Sequence, residues 1–375
     1  MPRPNRVCLI RKVEEMRSST VICYLTSFRP NVPAQMAEDQ VRVIFDHLLR
    51  LPSRPVPKLD IFLCSNGGSG TVPWRLVSVF REFSKSFNVL IPYRAYSAAT
   101  LLALGANEIV MHPFGELGPI DPTVGNEFNP VEQGTGRRIG ISVEDVKAYV
   151  KFIKSGVGIT HEDELVRAVE VLANKVHPLA LGNVERFLSQ SRMIATKIMR
   201  THMKGVSDHT IKEIVENMAS NLYFHGHPIN RQEAKDDLKL KVIKPTPELE
   251  TVMWNLYVDF EQEFENRKEF VPQTELASMP DPGPKMLTCE LMHAAVESAG
   301  LVSRYTTKRR YQLIQGLPPG QVGMQEEMLS QGWSHSEEAT AGHAAPASLN
   351  PTVETPPAPK GRGKKPAKKS RPKQA

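Results

Sequence analysis

Four short runs of β-branched, aliphatic and aromatic residues recur in the first third of the chain: TVICYLT (20–26), LDIFLC (59–64), VLIPY (89–93) and IVM (109–111). Between them lie stretches with helical spacing, such as residues 40–51 with Val41, Ile44, Phe45 and Leu48, and residues 74–83 with Leu76, Val77, Phe80 and Phe83. Runs apolar on both faces need cover on both faces. Strands joined through helices also return to the same edge and pair in parallel through right-handed crossovers. This alternation predicts an α/β fold.

The loops that leave these strands are the next informative feature. The strand at 59–64 runs into SNGGSG, and glycines at a strand exit let backbone N–H groups face a cleft with no Cβ in the way. The strand at 89–93 runs into YRAYSAAT, which delivers Ser97 at the start of a short apolar helix over 100–105. A nucleophile on one turn and amide donors on the next are the minimum equipment for acyl transfer. The same residues also suit a plain N-cap and a plain turn. The G-x-S-x-G elbow is absent, which argues against an α/β-hydrolase.

After the strand at 109–111, HPFGELGPIDPTVG is dense in glycine and proline and predicts a long shaped loop. From Ser142 onward helices follow one another, over 142–153, 162–175, 179–203, 208–219, 230–238 and 246–265. Thr246 is the expected cap of the last, with Pro247 at its first turn.

At 375 residues the chain can hold one large or two modest domains. The four cysteines, Cys8, Cys23, Cys64 and Cys289, form no C-x-x-C pair, which argues against a zinc site or a disulfide framework and fits a reducing cytoplasm. No run approaches the roughly 18 apolar residues of a membrane span. The last 16 residues, KGRGKKPAKKSRPKQA, carry eight Lys or Arg and no acid; removing them from the formal net charge of +6 leaves −2 for the rest. The basic character therefore belongs to the tail.

Taken together, LTSFRPN, DIFLCSNGGSG, AYSAATLLALGANEIVM, LGPIDP, HPLALGNVERFLSQSR and HPINRQEA resemble the serine dehydrogenase proteinase family of the Clp/crotonase superfamily, which is related to Clp protease and signal peptide peptidase A. The likeness extends over about residues 21–240. It implies a superhelix of β-β-α units, followed by a helical region; residues from about 318 onward are polar, rich in Pro, Ala and Lys and poor in aromatics, and so predict a disordered basic C-terminal tail. The expected divisions are a lead-in at 1–19, the α/β core at 20–140, a helical region at 141–270, a weakly ordered segment at 271–317 and a disordered tail at 318–375.

The resemblance also implies a serine peptidase working through an acyl-enzyme, with a protein or peptide substrate and a homo-oligomeric assembly. Ser97 takes the nucleophile's place. Gly67 and Gly68 take the oxyanion loop's place, with the N–H groups of Gly68 and Ala98 as donors. Asn66 stands where the family more often has arginine, which alters the local electrostatics.

The histidine position of Clp protease falls on Ile120, and the lysine position of signal peptide peptidase A relatives falls near Ile141. His177 is the preferred base, because imidazole needs the smallest pKa adjustment and a helix start favours its neutral form. Lys147 is the alternative base, if a dry pocket lowers its pKa. Asp121 is the candidate orienter of an imidazole. His112 sits too early for a base. Arg231 ties helices together or binds a carboxylate, and His161, His202 and His209 are expected at the surface.

His225 and His227 lack further ligands nearby, so no metal is expected, and no cofactor. A different class of reading makes the protein a non-catalytic scaffold whose tail contacts nucleic acid through Arg362, Lys364, Lys365, Lys368, Lys369 and Arg371, because PKGRGKKPAKK is similar to an AT-hook. An acyl-CoA enzyme of crotonase type ranks last, for want of an Asp or Glu beside the glycine loop.

Overall fold

The computed structural model describes residues 4–120, 123–124, 127–132, 138–221, 226–279, 285–314 and 323–337. The chain begins with α1 (Pro4–Arg17) and β1 (Thr20–Thr26), then α2 (Glu38–Leu48), β2 (Val56–Cys64), α3 (Val72–Phe83) and β3 (Ser84–Ile91). Next come β4 (Arg94–Ala95), α4 (Ala98–Ala103), β5 (Ile109–Met111) and β6 (Glu116–Leu117). A short pair, β7 (Thr123–Val124) and β8 (Ile141–Ser142), leads to the helical part: α5 (Val143–Lys151), α6 (Glu162–Ala173), α7 (Pro178–Arg200), α8 (Asp208–Glu216) and α9 (Arg231–Asp236). Then follow β9 (Val242–Ile243), α10 (Pro247–Glu263), α11 (Pro272–Ala277), β10 (Met286–Ser298), β11 (Leu301–Ile314) and β12 (Gly323–Glu337).

The expected alternation becomes a mixed eight-stranded sheet in the order β12-β11-β10-β1-β2-β3-β5-β9. The ladders from β1 through β2, β3 and β5 to β9 are parallel. Period-two alternation divides the core in two. Ile22, Tyr24, Ile61, Leu63, Val89 and Ile91 pack with residues of α2, α3, α4, α7 and α8. Val21, Cys23, Leu25, Phe62, Cys64, Leu90 and Val110 pack on the other side with residues of α1 and α10. Cover on both sides is the reason these strands carry almost no polar residues.

Caps set the helix starts. The Thr246 hydroxyl accepts the Leu249 N–H at 3.3 Å and Pro247 opens α10. Asn230 accepts from Gln232 and Glu233 at the start of α9. The strand expected at 89–93 instead begins at Ser84, directly after α3, and stops before Pro92.

The expectation of a weakly ordered segment at 271–317 and a disordered tail from 318 is corrected within its described part. There β10, β11 and β12 extend the sheet as an antiparallel meander on the edge of β1. Composition misleads here because strand pairing satisfies the backbone and the charges answer one another across strands. Arg310 bonds Glu327 at 3.1 Å and Arg309 bonds Glu326 at 2.5 Å.

His47 on α2 ties this addition to the body. Its Nδ1 lies 3.0 Å from the Ser298 hydroxyl and its Nε2 3.0 Å from the Ser303 hydroxyl, which also lies 2.9 Å from Nδ1 of His335. Burial, reinforced by Arg50 and His335, pushes the His47 pKa down to about 3. The folded state therefore keeps His47 neutral, whereas an unfolded chain protonates it below its usual 6.5. Stability from this group is complete above pH 6.5 and is lost as pH falls toward 3. Urea unfolding at pH 7.5 and pH 5 is expected to show the wild type losing about 2 kcal/mol more than His47→Gln.

Candidate active site

The ends of β2 and β3 are zipped together beyond the main sheet. Ser65 N–H donates to the Arg94 carbonyl at 2.9 Å, and Tyr96 N–H donates to the Ser65 carbonyl at 2.9 Å. The Ser65 hydroxyl accepts the Thr26 hydroxyl at 2.8 Å and the Gly67 N–H at 3.1 Å. This ladder brings residues separated by some thirty positions onto one crevice outside the carboxyl ends of parallel strands, where open α/β sheets commonly hold ligands.

Two glycines make the approach possible. Gly67 has φ +95°, and a Cβ there would stand 2.6 Å from the Tyr96 carbonyl oxygen, 2.8 Å from Ser97 Cβ and 2.9 Å from Ala98 N. Gly68 has φ +151°, and a Cβ there would run into the Met36 backbone. Met36 N–H donates to the Gly67 carbonyl at 2.7 Å and Ser69 N–H to the Met36 carbonyl at 2.8 Å, which leaves the Gly68 N–H on the other side of the loop.

Ser97 has φ +52° and ψ −115°, a conformation that costs a non-glycine residue about 1–3 kcal/mol. It precedes α4, but its side chain makes no cap hydrogen bond. The simple N-cap role is thus not the one it plays. Among the described residues, no hydrogen bond engages the Ser97 hydroxyl or the N–H groups of Gly68 and Ala98.

All three groups line one cavity of about 440 Å³. Gln35, Asn66 and Thr71 form part of its wall, and α7 contributes Phe187, Gln190, Ser191 and Ile194. The Ser191 hydroxyl donates to the Ile120 carbonyl at 2.6 Å and fixes that loop against α7. Behind Ser97, the Thr100 hydroxyl donates to the Ala95 carbonyl at 2.6 Å and accepts the Gly118 N–H at 3.1 Å. The Tyr96 hydroxyl donates to Glu116 at 2.5 Å, and burial, with that carboxylate, raises the phenol's pKa well above its ordinary value.

The other expected residues fall elsewhere. His177 is the exposed N-cap of α7. Its Nδ1 accepts the Leu179 N–H at 3.2 Å, its ring stacks on Phe128 at 5.1 Å, and it does not line the cavity. Lys147 is half-buried on α5 and is also outside the lining, and Asp121 lies outside the described residues. No His, Lys, Asp or Glu occurs among the described residues lining the cavity.

His112 stacks on Trp254 at 5.2 Å on the far side of the sheet. Arg231 spans from Glu250 to the Met111 carbonyl, 3.4 Å from each, and so ties elements together. His202, expected at the surface, is half-buried, and burial lowers its pKa to about 4. His225 lies outside the described residues and His227 bonds Glu233 at 2.8 Å. The described residues contain no group of three or more side chains suited to a metal ion. The nucleic-acid candidates of the tail, from Arg362 to Arg371, lie outside the described residues.

The wall supplied by α7 escaped the sequence reading. Phe187 is 38% exposed and faces the cavity. The available signal was Gln190 and Ser191 interrupting an apolar stripe at the spacing 187, 190, 191 and 194.

No family model matches the chain. It is 27% identical over 128 residues to an uncharacterised protein of Methanocaldococcus jannaschii, covering 32% of this chain and 43% of that relative, which is less than two thirds of the relative's length. A second uncharacterised protein of the same archaeon is 22% identical over 259 residues, covering 67% of this chain and 78% of its own. Among the described residues no helix is long and apolar enough to cross a membrane.

Proposed function

We propose that the protein is a serine peptidase of Clp/crotonase type, in which Ser97 attacks the carbonyl carbon of a peptide bond. The observation that carries the reading is an uncapped, left-handed Ser97 sharing a cavity with two uncommitted amide donors. As the Ser97 oxygen bonds to carbon, the carbonyl π pair moves to oxygen, where Gly68 and Ala98 N–H groups receive the charge. The proton leaves the Ser97 hydroxyl for an acceptor and passes from it to the scissile nitrogen, so that collapse expels a neutral amine and leaves an acyl ester on Ser97, which water then hydrolyses.

The proton acceptor in this scheme comes from a residue beyond the described lining. His177 and Lys147 are the candidate bases, with Asp121 as the candidate orienter; the first two lie outside the lining and Asp121 lies outside the described residues. Self-association, which the resemblance implies, is supported by apolar residues left in water on α6 and the turn after α5: Val166 is 57% and Phe152 61% exposed.

A fluorophosphonate probe is expected to label the full chain on the peptide containing Ser97, with Ser97→Ala as the unlabelled control. Labelling that persists in Ser97→Ala removes this residue from the chemistry. The competing reading, a non-catalytic scaffold that associates with nucleic acid, draws on the eight basic residues of the last sixteen. It gains if the probe labels nothing and salt-sensitive DNA binding disappears on deleting residues 360–373.

A further inference from the structure

Residues 145–173 form an arm that carries no core of its own. α5 continues beyond Lys151 as a wider, π-helical turn, Phe152–Gly156, and α6 packs beside it. None of the described residues from 145 to 173 is buried. The two helices meet round an apolar hollow of about 370 Å³ lined by Tyr149, Val150, Ile153, Leu165 and Val169, and the Tyr149 hydroxyl donates to the Ala168 carbonyl at 3.0 Å. A two-helix hairpin of this length gains little from its own contacts against the entropy of ordering it.

The exposed residues of α5 and its extension share a face. Val146 packs on the main core, and Val150 and Ile153 face the hollow, whereas Asp145, Ala148, Lys151 and Phe152 are exposed. The spacing 145, 148, 152 is that of a single seam along a helix, with Lys151 flanking it. Phe152 is the anchor of this seam. Its ring is 61% exposed, yet it lies against Gly156, where an added Cβ would stand 2.8 Å from the ring. An aromatic side chain already held in place loses little entropy when it is covered.

The seam is complementary to itself in one orientation. Asp145 stands near the start of α5 and Lys151 at its end. A parallel neighbour in register would set like charges together, whereas an antiparallel one brings each Asp145 within a turn of the partner's Lys151. An antiparallel pair centred between positions 148 and 152 also lays each Phe152 over the partner's Ala148, whose small side chain admits a ring.

We infer that α5 and the turn after it form a contact between two copies of this chain, packed antiparallel about a two-fold axis with Phe152 of each over the partner's Ala148. The inference rests on the self-association proposed above and is independent of the chemistry assigned to Ser97.

Sedimentation velocity of the full chain tests it. The wild type is expected to associate at micromolar concentration. Phe152→Glu, a change at an exposed position, is expected to weaken association at least tenfold with an unchanged far-UV circular dichroism spectrum. Asp145→Lys is expected to weaken it several-fold, and combining Asp145→Lys with Lys151→Asp to restore it. In a Cys8→Ser background, oxidising a mixture of the Ala148→Cys and Phe152→Cys variants is expected to yield more disulfide-linked dimer than either variant alone. A wild type that stays monomeric at hundreds of micromolar would overturn both this contact and self-association. An associating wild type whose affinity Phe152→Glu leaves unmoved, or cross-linking no stronger in the mixture, would overturn this contact alone.

Discussion

Adding one methyl group at position 67 is expected to slow reaction at Ser97 by about a hundredfold or more. Alanine at this position meets two obstacles at once. Its backbone must hold φ +95°, which L-residues other than glycine rarely adopt, and its Cβ would press on Tyr96, Ser97 and Ala98 at 2.6–2.9 Å. Two of those three atoms are backbone, so no side-chain rotation relieves the contact. The displaced groups are the Cβ of Ser97, the proposed nucleophile, and the Ala98 N–H proposed to receive the oxyanion. Loss of one such donor costs about a hundredfold to a thousandfold in acylation rate. Gly67→Ala should therefore label with the fluorophosphonate probe at less than about a hundredth of the wild-type rate. Far-UV circular dichroism should remain unchanged, since the clash lies outside the main sheet. Wild-type labelling by Gly67→Ala would detach the glycine loop from the chemistry.

Arg6→Ala is expected to be the most damaging single change to stability. The Arg6 side chain is fully buried on α1 and lies over the Phe260 ring at 3.8 Å. It donates to Asp259 at 2.6 Å, to Glu263 at 2.5 Å and to Glu297 at 3.0 Å. Arg304 shares Glu263 at 2.6 Å and approaches Glu297 at 3.6 Å. Alanine would leave Glu263 and Glu297 to Arg304, with Glu297 fully buried. Breaking a buried ionic cluster in this way costs about 3–5 kcal/mol, a large share of the 5–15 kcal/mol that holds a typical domain together. Urea titration should place the unfolding midpoint far below that of the wild type. Adding Glu297→Gln to Arg6→Ala should recover part of the loss, since one stranded charge is then removed.

These two sites differ in how far the sequence could reveal them. The strands that carry the glycine loop and Ser97 announce themselves by continuous apolar runs, and their spacing implied parallel pairing. SNGGSG and YSAAT then marked where backbone and hydroxyl could meet. Local patterns sufficed because each feature is built from neighbours. Arg6 is the opposite case: its partners lie more than 250 residues away, and a lone arginine in a polar-looking lead-in gives no local sign of burial. The α7 wall of the cavity was half visible, since the helix was evident but the function of its polar interruptions was not. The assignment of His177 rested on what imidazole can do in general. Its position, however, is fixed by the cap of α7 and by Phe128, neither of which a composition of nearby residues foretells. The strands β10–β12 were misread because hydrophobicity was used as a measure of order, where cross-strand ionic pairing meets the same need.

Trp333 gives that last meander a wider importance. Its indole N–H donates to Asp39 at 2.7 Å, in the first turn of α2, three residues beyond the Met36 that bridges to Gly68. The outermost strand thus buttresses, through a single helix, the rim on which an oxyanion would rest. A shortened gene product ending where the chain turns polar, near residue 318, would lose this buttress while keeping every residue that touches the cavity. Weak reactivity in such a truncated polypeptide would then reflect a slackened rim rather than missing chemistry.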